Sequence, residues 1–471
     1  MHYSILGKTG LKVSKIGFGS YRVDYRIPEH SDSLSDSILS GFNLIDTSSN
    51  YSDGGSEILI GKVVHQLIEN NLIKREDLVI VSKGGYLQGK NLEIAKQKEI
   101  HGTPFPEVTK CSPELWHCIH PDFLENQISY SLERMKLDKI DIYLLHNPEY
   151  FLNYNSYDSI MYHRKEYYRR IKQAFIYLEE EVKKGRIGFY GISSNTFPLT
   201  IDYHDFTSLS EILKLTDEIS SENYFGVIQL PMNLIEKGGL SNDENSVLRI
   251  AQNNNIGVLV NRPLNAIVKN KLYRLASFPQ NENYSKSEIL KLIKDVAELE
   301  NRIRISIEDF QINSSDLKSY FDCLSLGEVL SVYFKKFDNP TQFIEMKQQY
   351  FIPRANYVLS SLNKLDVLSD ELTNLLNTYA VSSNILLDAI QSHLAKLHDI
   401  FLAPTISELN NHFNNDLDSI DISQRAIHLL QSLEEVSSVL VGMRKRSYVK
   451  KMHVISELKL IDKANSFFLK N

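Results

Sequence analysis

A chain of 471 residues exceeds the usual size of a single compact domain, so an inserted domain or a large extension is expected. Its 42% hydrophobic and 24% charged residues suit a globular protein with a sizeable core, and a net charge of −7 argues against a general nucleic-acid surface. The three cysteines, Cys111, Cys118 and Cys323, are too few for a disulfide framework; with no basic-then-apolar leader and no apolar run near ~18 residues, a cytoplasmic protein with no membrane span is expected.

In chain order, Tyr3 to Ile5 and Lys12 to Ser14 flank a glycine-containing turn and read as a hairpin closing a barrel floor. Lys15 to Gly19 is the first barrel strand. It runs into Gly17-Phe18-Gly19-Ser20, but Arg22 stands where a dinucleotide fingerprint needs its third glycine, which disfavours a Rossmann site. Ser31 to Ser40 reads as a helix. Phe42, Leu44 and Ile45 then form a short buried strand ending at Asp46, with Tyr51 five positions on and Gly54-Gly55 turning into a helix from Ser56-Glu57. Leu78 to Ser82 is an equally apolar run ending at Lys83.

A long loop follows, 84–120, carrying Tyr86, Trp116, His117, Cys118 and His120; its aromatic rings are expected to line a substrate pocket over the barrel mouth. Cys111, Cys118, His117 and His120 lack regular zinc spacing, and no metal is expected. After a helix over 122–135, Ile140 to Leu145 leads to His146, and Asn147-Pro148 must leave the strand. The connection 148–167 is rich in aromatics, Tyr150, Phe151, Tyr154, Tyr157, Tyr162 and Tyr167 among them, which suits either a ring-binding wall or a loop packed on itself. Strands at 187–193, 227–230 and 257–261 alternate with helices near 208–219 and 246–252. Residues 268–420 carry helical apolar spacing, such as Ile289, Leu292, Ile293, Val296 and Leu299, then Leu359, Leu362, Leu365 and Leu368, then Leu386, Ile390, Leu394 and Leu397; their charges read as solvated helix faces. The eighth strand is Ser438 to Val441.

Taken singly, Asp46 at a strand end reads as a cap or turn residue, Lys83 as a solvated charge and His146 as a core or rim residue. Together, these three groups end parallel strands where a (β/α)8 barrel builds its active site. Asp46, Tyr51, Lys83 and His146 resemble, in order and spacing, the catalytic tetrad of the aldo-keto reductase superfamily. Leu6 to Ser14 with Ile16 to Gly19 resembles the family's opening, and Gly191-Ile192-Ser193-Ser194-Asn195 its nicotinamide-contacting strand end. Gln229 and Pro263-Leu264 also correspond. The resemblance covers about 1–265 and 423–455.

It implies a (β/α)8 TIM barrel with an N-terminal β-hairpin and an inserted α-helical subdomain: barrel 1–267, insertion 268–420, closing segment 421–471. The insertion is expected to serve as a lid or a surface for homo-oligomers. The resemblance also implies a hydride-transferring oxidoreductase acting on a small carbonyl or alcohol, with Tyr51 as general acid or base, Lys83 favouring the phenolate, Asp46 balancing Lys83 and His146 orienting the substrate. Cofactor contacts are expected from Gly19, Ser20, Tyr21, Asp46, Ser193, Asn195, Gln229, Asn261, Arg262, Pro263, Leu264, Gly442, Arg444, Arg446, Tyr448 and Lys451. The cations Arg444, Lys445, Arg446, Lys450 and Lys451 crowd a helix start against its dipole, which suits a 2′-phosphate and favours NADP(H) over NAD(H). Tyr448, Met452 and Asn261 depart from the family's usual residues there. The alternative is a cofactor-binding regulatory or scaffold protein with little turnover, which the insertion could serve.

Overall fold

The computed structural model describes residues 1–155, 160–243, 245–308, 314–364, 369–413 and 420–469. By contacts the chain divides into two compact units, Met1–Ala266 with Ser423–Asn471, and Ile267–Ile422.

In the first unit eight parallel strands close into a barrel: β1 (Ile16–Gly19), β2 (Leu44–Asp46), β3 (Val79–Gly84), β4 (Ile140–His146), β5 (Ile187–Ser193), β6 (Phe225–Pro231), β7 (Gly257–Asn261) and β8 (Ser438–Val441). Neighbours in sequence are neighbours in space, and β8 pairs back onto β1 through Val441↔Phe18. Strands covered on both faces are mainly apolar, and these are, with polar residues gathered chiefly at their carboxyl ends. Leu44, Val79, Val81, Ile142, Leu144, Val227, Leu259 and Leu440 fill the interior together with Leu6 and Val13 of the N-terminal hairpin. That hairpin, Tyr3–Ile5 with Lys12–Ser14, lies against the start of β7: Lys8 N donates to Asn255 O at 2.6 Å. Gly7, at φ +51°, is needed for this approach, because a Cβ there would lie 2.3 Å from Gly257 N.

The segment 84–120 is not the open loop its polar sequence implies. It holds a helix, Gly89–Ile100, and a small antiparallel sheet of Tyr86–Leu87, Leu115–His117 and Thr109–Ser112. Trp116 pairs with Leu87 and is buried in a cluster with Leu92, Ala95, Phe105, Cys118 and Phe123. Trp116, expected in a pocket wall, is therefore part of a local core, assembled by strand pairing that no short window of sequence reveals. Cys118 Sγ donates to Pro106 O, and His120 Nδ1 accepts from Asp122 N as the cap of the helix Pro121–Met135.

The second unit is mainly helical, with a short strand pair, Asn265–Val268 and Lys271–Arg274, at its start. Its core draws Ile289, Ile293, Val296, Ile303 and Ile307 from Lys286–Glu308, and Leu386, Ile390 and Leu394 from the 43-residue helix Asp370–His412. The i, i+4, i+7 spacing of these side chains puts them on one face of each helix. Leu365 and Leu368 lie outside the described residues, as does Tyr157. One charge departs from the solvated-face expectation. Glu300 is buried and accepts from Leu326 N (2.7 Å), Gly327 N (3.1 Å) and Tyr379 OH (3.1 Å), so its carboxylate caps the helix Leu326–Tyr333 from another helix.

Candidate functional site

Parallel register brings the polar strand ends together at the carboxyl rim of the barrel. Asp46 is level with Gly19 and Val81, Lys83 with Leu144, His146 with Ser193, and Ser193 with Gln229. Lys83 is fully buried. Its Nζ donates to Asp46 Oδ2 at 2.7 Å and Thr47 O at 2.8 Å, and reaches the Tyr51 oxygen at 3.4 Å. Asp46 Oδ1 accepts from Gln229 Nε2 at 2.8 Å.

A carboxylate only accepts, so this contact fixes which way the Gln229 amide faces. Its Oε1 then receives Ser193 Oγ at 3.0 Å and Asn261 Nδ2 at 3.1 Å. Asn261 Oδ1 is left enclosed with no hydrogen-bond partner among the described residues. Asn261 thus ends a relay that starts at the ion pair.

The charges feel their burial. Desolvation raises the Asp46 carboxyl above its usual range, and Lys83 and Gln229 oppose that rise. Desolvation likewise lowers Lys83, with Asp46 opposing. The Tyr51 phenol is held well above its usual value by burial first, then by Asp46 and Tyr21. Lys83 is engaged by Asp46 at the shorter distance, and Tyr51 stays protonated. Burial, then Lys83 and His117, push His146 well below its usual value, so the imidazole is neutral.

His146 Nδ1 lies 3.1 Å from Ser48 Oγ, and its ring stands edge-on to Tyr51, with centroids 6.0 Å apart. Tyr86 meets His146 edge-on at 4.7 Å, and its hydroxyl accepts from Asn147 Nδ2 at 2.6 Å. His117 Nε2 is 2.7 Å from His146 O. Nothing in the sequence singles out Ser48 as a contact of His146, whereas His117 is weighed there as a metal ligand and as part of the loop lining a pocket. Among the described residues no group of three or more His, Cys, Asp or Glu side chains is placed to hold a metal ion.

The remaining candidates are spread around the same rim. Ser20 Oγ donates to Asp46 O at 2.7 Å, and exposed Tyr21 meets Tyr51 edge-on at 5.2 Å. Asn195 N donates to Glu149 Oε1 at 2.8 Å. Arg262, at φ +49°, pairs with Glu236 at 2.9 Å, followed by buried Pro263 and half-buried Leu264. Past β8, Gly442 is exposed, and Arg444 and Tyr448 are half-buried. The helix Arg446–Glu457 begins with no acidic residue in its first turn and carries Lys451 on its exposed side. Arg446 is held by Asp36, with Nε 2.6 Å from Oδ2. Asp46, Tyr51, Lys83, His146, Ser193, Gln229 and Asn261 thus form one connected cluster, while the basic segment follows β8 beside β1.

Residues 15–310 match the Aldo/keto reductase family. Among curated relatives, the NADH-specific methylglyoxal reductase of Escherichia coli is 27% identical over 149 residues, which is 30% of this chain and 40% of that protein. The NAD(P)H-dependent D-xylose reductase of Scheffersomyces stipitis is 26% identical over 149 residues, covering 31% of this chain and 36% of that protein. The chain therefore spans well under half the length of these relatives. An aldo-keto reductase from Bacillus halodurans of known structure superposes with a TM-score of 0.48 at 14% identity, covering 100% of this chain and 97% of that one. With the family match extending over more than half of its residues, the chain belongs to the aldo/keto reductase family.

Proposed function

We propose that the protein is an NADP(H)-dependent oxidoreductase that interconverts a small carbonyl compound and its alcohol, with Tyr51 as the group that gives and takes the proton. One observation carries this reading: a fully buried ammonium, Lys83, pinned by Asp46 at 2.7 Å and directed at the Tyr51 oxygen at 3.4 Å. The Tyr51 oxygen accepts from Lys83, so its own proton is available to a substrate oxygen. Because burial keeps the phenol protonated, it is ready to act as an acid in reduction. Neutral His146, held at Nδ1 by Ser48, presents its other ring nitrogen to the same oxygen. As the proton leaves, the growing phenolate is stabilised by Lys83, which Asp46 keeps in place.

The residues suit a nicotinamide coenzyme, which when bound supplies the hydride. Asn261 Oδ1 is an enclosed acceptor in want of a donor, and a carboxamide NH2 is such a donor. Ser193 and Gln229 flank it, and Asn195 follows on the same rim. Arg444, Arg446 and Lys451, at a helix start lacking acidic residues, suit the 2′-phosphate of NADP(H).

The test is Tyr51→Phe, followed by NADPH fluorescence with a panel of aldehydes, ketones and sugars. Turnover is expected to fall by roughly 100-fold or more while the NADPH dissociation constant stays within about twofold. Retained turnover removes Tyr51 from the role. Coenzyme binding by the unaltered protein with no oxidation across the panel favours a binding protein instead.

A further inference from the structure

The ladder between β3 and β4 ends at Gly84↔Leu145, one residue before His146. There the His146 carbonyl accepts from a side chain in place of a strand amide: His117 Nε2 at 2.7 Å, in a buried setting. A carbonyl can only accept, so His117 carries its proton on Nε2. Burial lowers His117 to about 4, which keeps the ring neutral at ordinary pH.

Gly85 opens the space for this bond, since a Cβ there would lie 2.5 Å from His146 O and 2.8 Å from His117 Nε2. The His117 ring is itself fixed, stacked on Tyr150 (5.5 Å, 18°) and edge-on to Tyr86 (5.6 Å). Its backbone is paired to Tyr86 and Thr109 in the small sheet. Tyr86 in turn presses on the His146 ring and is hydrogen-bonded by Asn147, which leaves the strand at φ +50°.

We propose that His117 is a positioning residue for His146: its imidazole N–H replaces the missing strand amide and sets where the His146 ring meets a substrate oxygen beside Tyr51. The role of the 84–120 segment is then to brace the last residue of β4. This rests on the reductase reading only for its kinetic consequence.

The test compares His117→Leu, which keeps bulk but has no donor, with His117→Gln, which retains an N–H. It follows kcat, KM, the NADPH dissociation constant and the imidazole 15N–1H spectrum of His146. His117→Leu is expected to lower kcat roughly 10- to 100-fold, as a small misplacement of a reacting group does, with NADPH binding within about twofold of the unaltered protein and the His146 signals shifted. His117→Gln is expected to restore most of kcat and return the His146 signals toward their original positions. Full kcat in His117→Leu, or an equal loss in both variants with His146 signals unmoved, overturns the proposal. If the unaltered protein reduces no carbonyl, the reductase reading fails separately, and the His146 signals alone decide: unmoved in His117→Leu, they refute the brace.

Discussion

Lys83 Nζ lies 2.7 Å from Asp46 Oδ2 and 3.4 Å from the Tyr51 oxygen, so one buried ammonium serves a carboxylate and a phenol together. Removing one member of a buried ion pair strands the other, at about 3–5 kcal/mol. Lys83→Met should therefore destabilise the barrel by about that much, because among the described residues the Asp46 carboxylate keeps only Gln229. Adding Asp46→Asn removes the stranded charge and should recover a large part of the loss, while turnover stays abolished. Urea unfolding of the two single variants and the double variant gives the coupling; strictly additive losses would mean the pair does not act as a unit.

The loop that carries Tyr51 is strained. Ser52 and Asp53 sit at φ +50° and +55°, a region that costs non-glycine residues about 1–2 kcal/mol each. Contacts hold them there: Ser52 Oγ donates to Val23 O at 2.8 Å, and Asp53 Oδ1 accepts from Lys90 N at 3.0 Å. Ser52→Gly loses a hydrogen bond but relieves the strain, whereas Ser52→Ala loses the bond and keeps the strain. The glycine variant should be the more stable of the two by about 1 kcal/mol, the reverse of the order found in helices. A stability difference in favour of alanine would show that the loop relaxes out of this conformation.

The barrel was legible because its strands are buried on both faces and write themselves as mainly apolar runs. Ile140 to His146, Ile187 to Ser193, Gly257 to Asn261 and Ser438 to Val441 fall at the bounds their sequences indicate. The strand ends at Lys83 and His146 were legible for the same reason, since a charge or imidazole interrupts such a run visibly. What supports them was hidden. Gly89–Ile100 buries only Asn91, Leu92 and Ala95, too thin a stripe to read as a helix, and the partners of Trp116 and His117 come from strand pairing. Glu300 capping a distant helix and Arg446 held by Asp36, far apart in sequence, are likewise products of tertiary structure.

That last pair bears on the coenzyme. Arg446 already has a carboxylate partner, whereas Arg444 makes no ion pair among the described residues. If the segment binds a 2′-phosphate, Arg444→Ala should weaken NADPH by roughly 10-fold, the loss of one charge-assisted contact, and leave NADH nearly unchanged. Arg446→Ala should cost less, because binding through Arg446 must first break its bond to Asp36. Fluorescence titration with both coenzymes separates these outcomes. Equal weakening of NADH and NADPH would remove the phosphate from the assignment.

Glu149 gives the site a pH dependence of definite sign. Its carboxyl is buried, accepts from Asn195 N at 2.8 Å, and is raised by burial from 4.5 to about 7. Below about 4.5 the folded and unfolded chains both hold this proton. Between about 4.5 and 7 the folded chain keeps a proton the unfolded chain has lost, so stability from this group falls as pH rises through that window, by about 3 kcal/mol in all. Above it the group adds no further slope. Glu149→Gln cannot titrate yet keeps an oxygen for Asn195 N, so the unfolding free energy of the unaltered protein minus that of the variant should drop by about 3 kcal/mol between pH 4.5 and 7.5. Curves that run parallel across that range would show that Glu149 is ionised throughout and that its burial is compensated by groups other than Asn195.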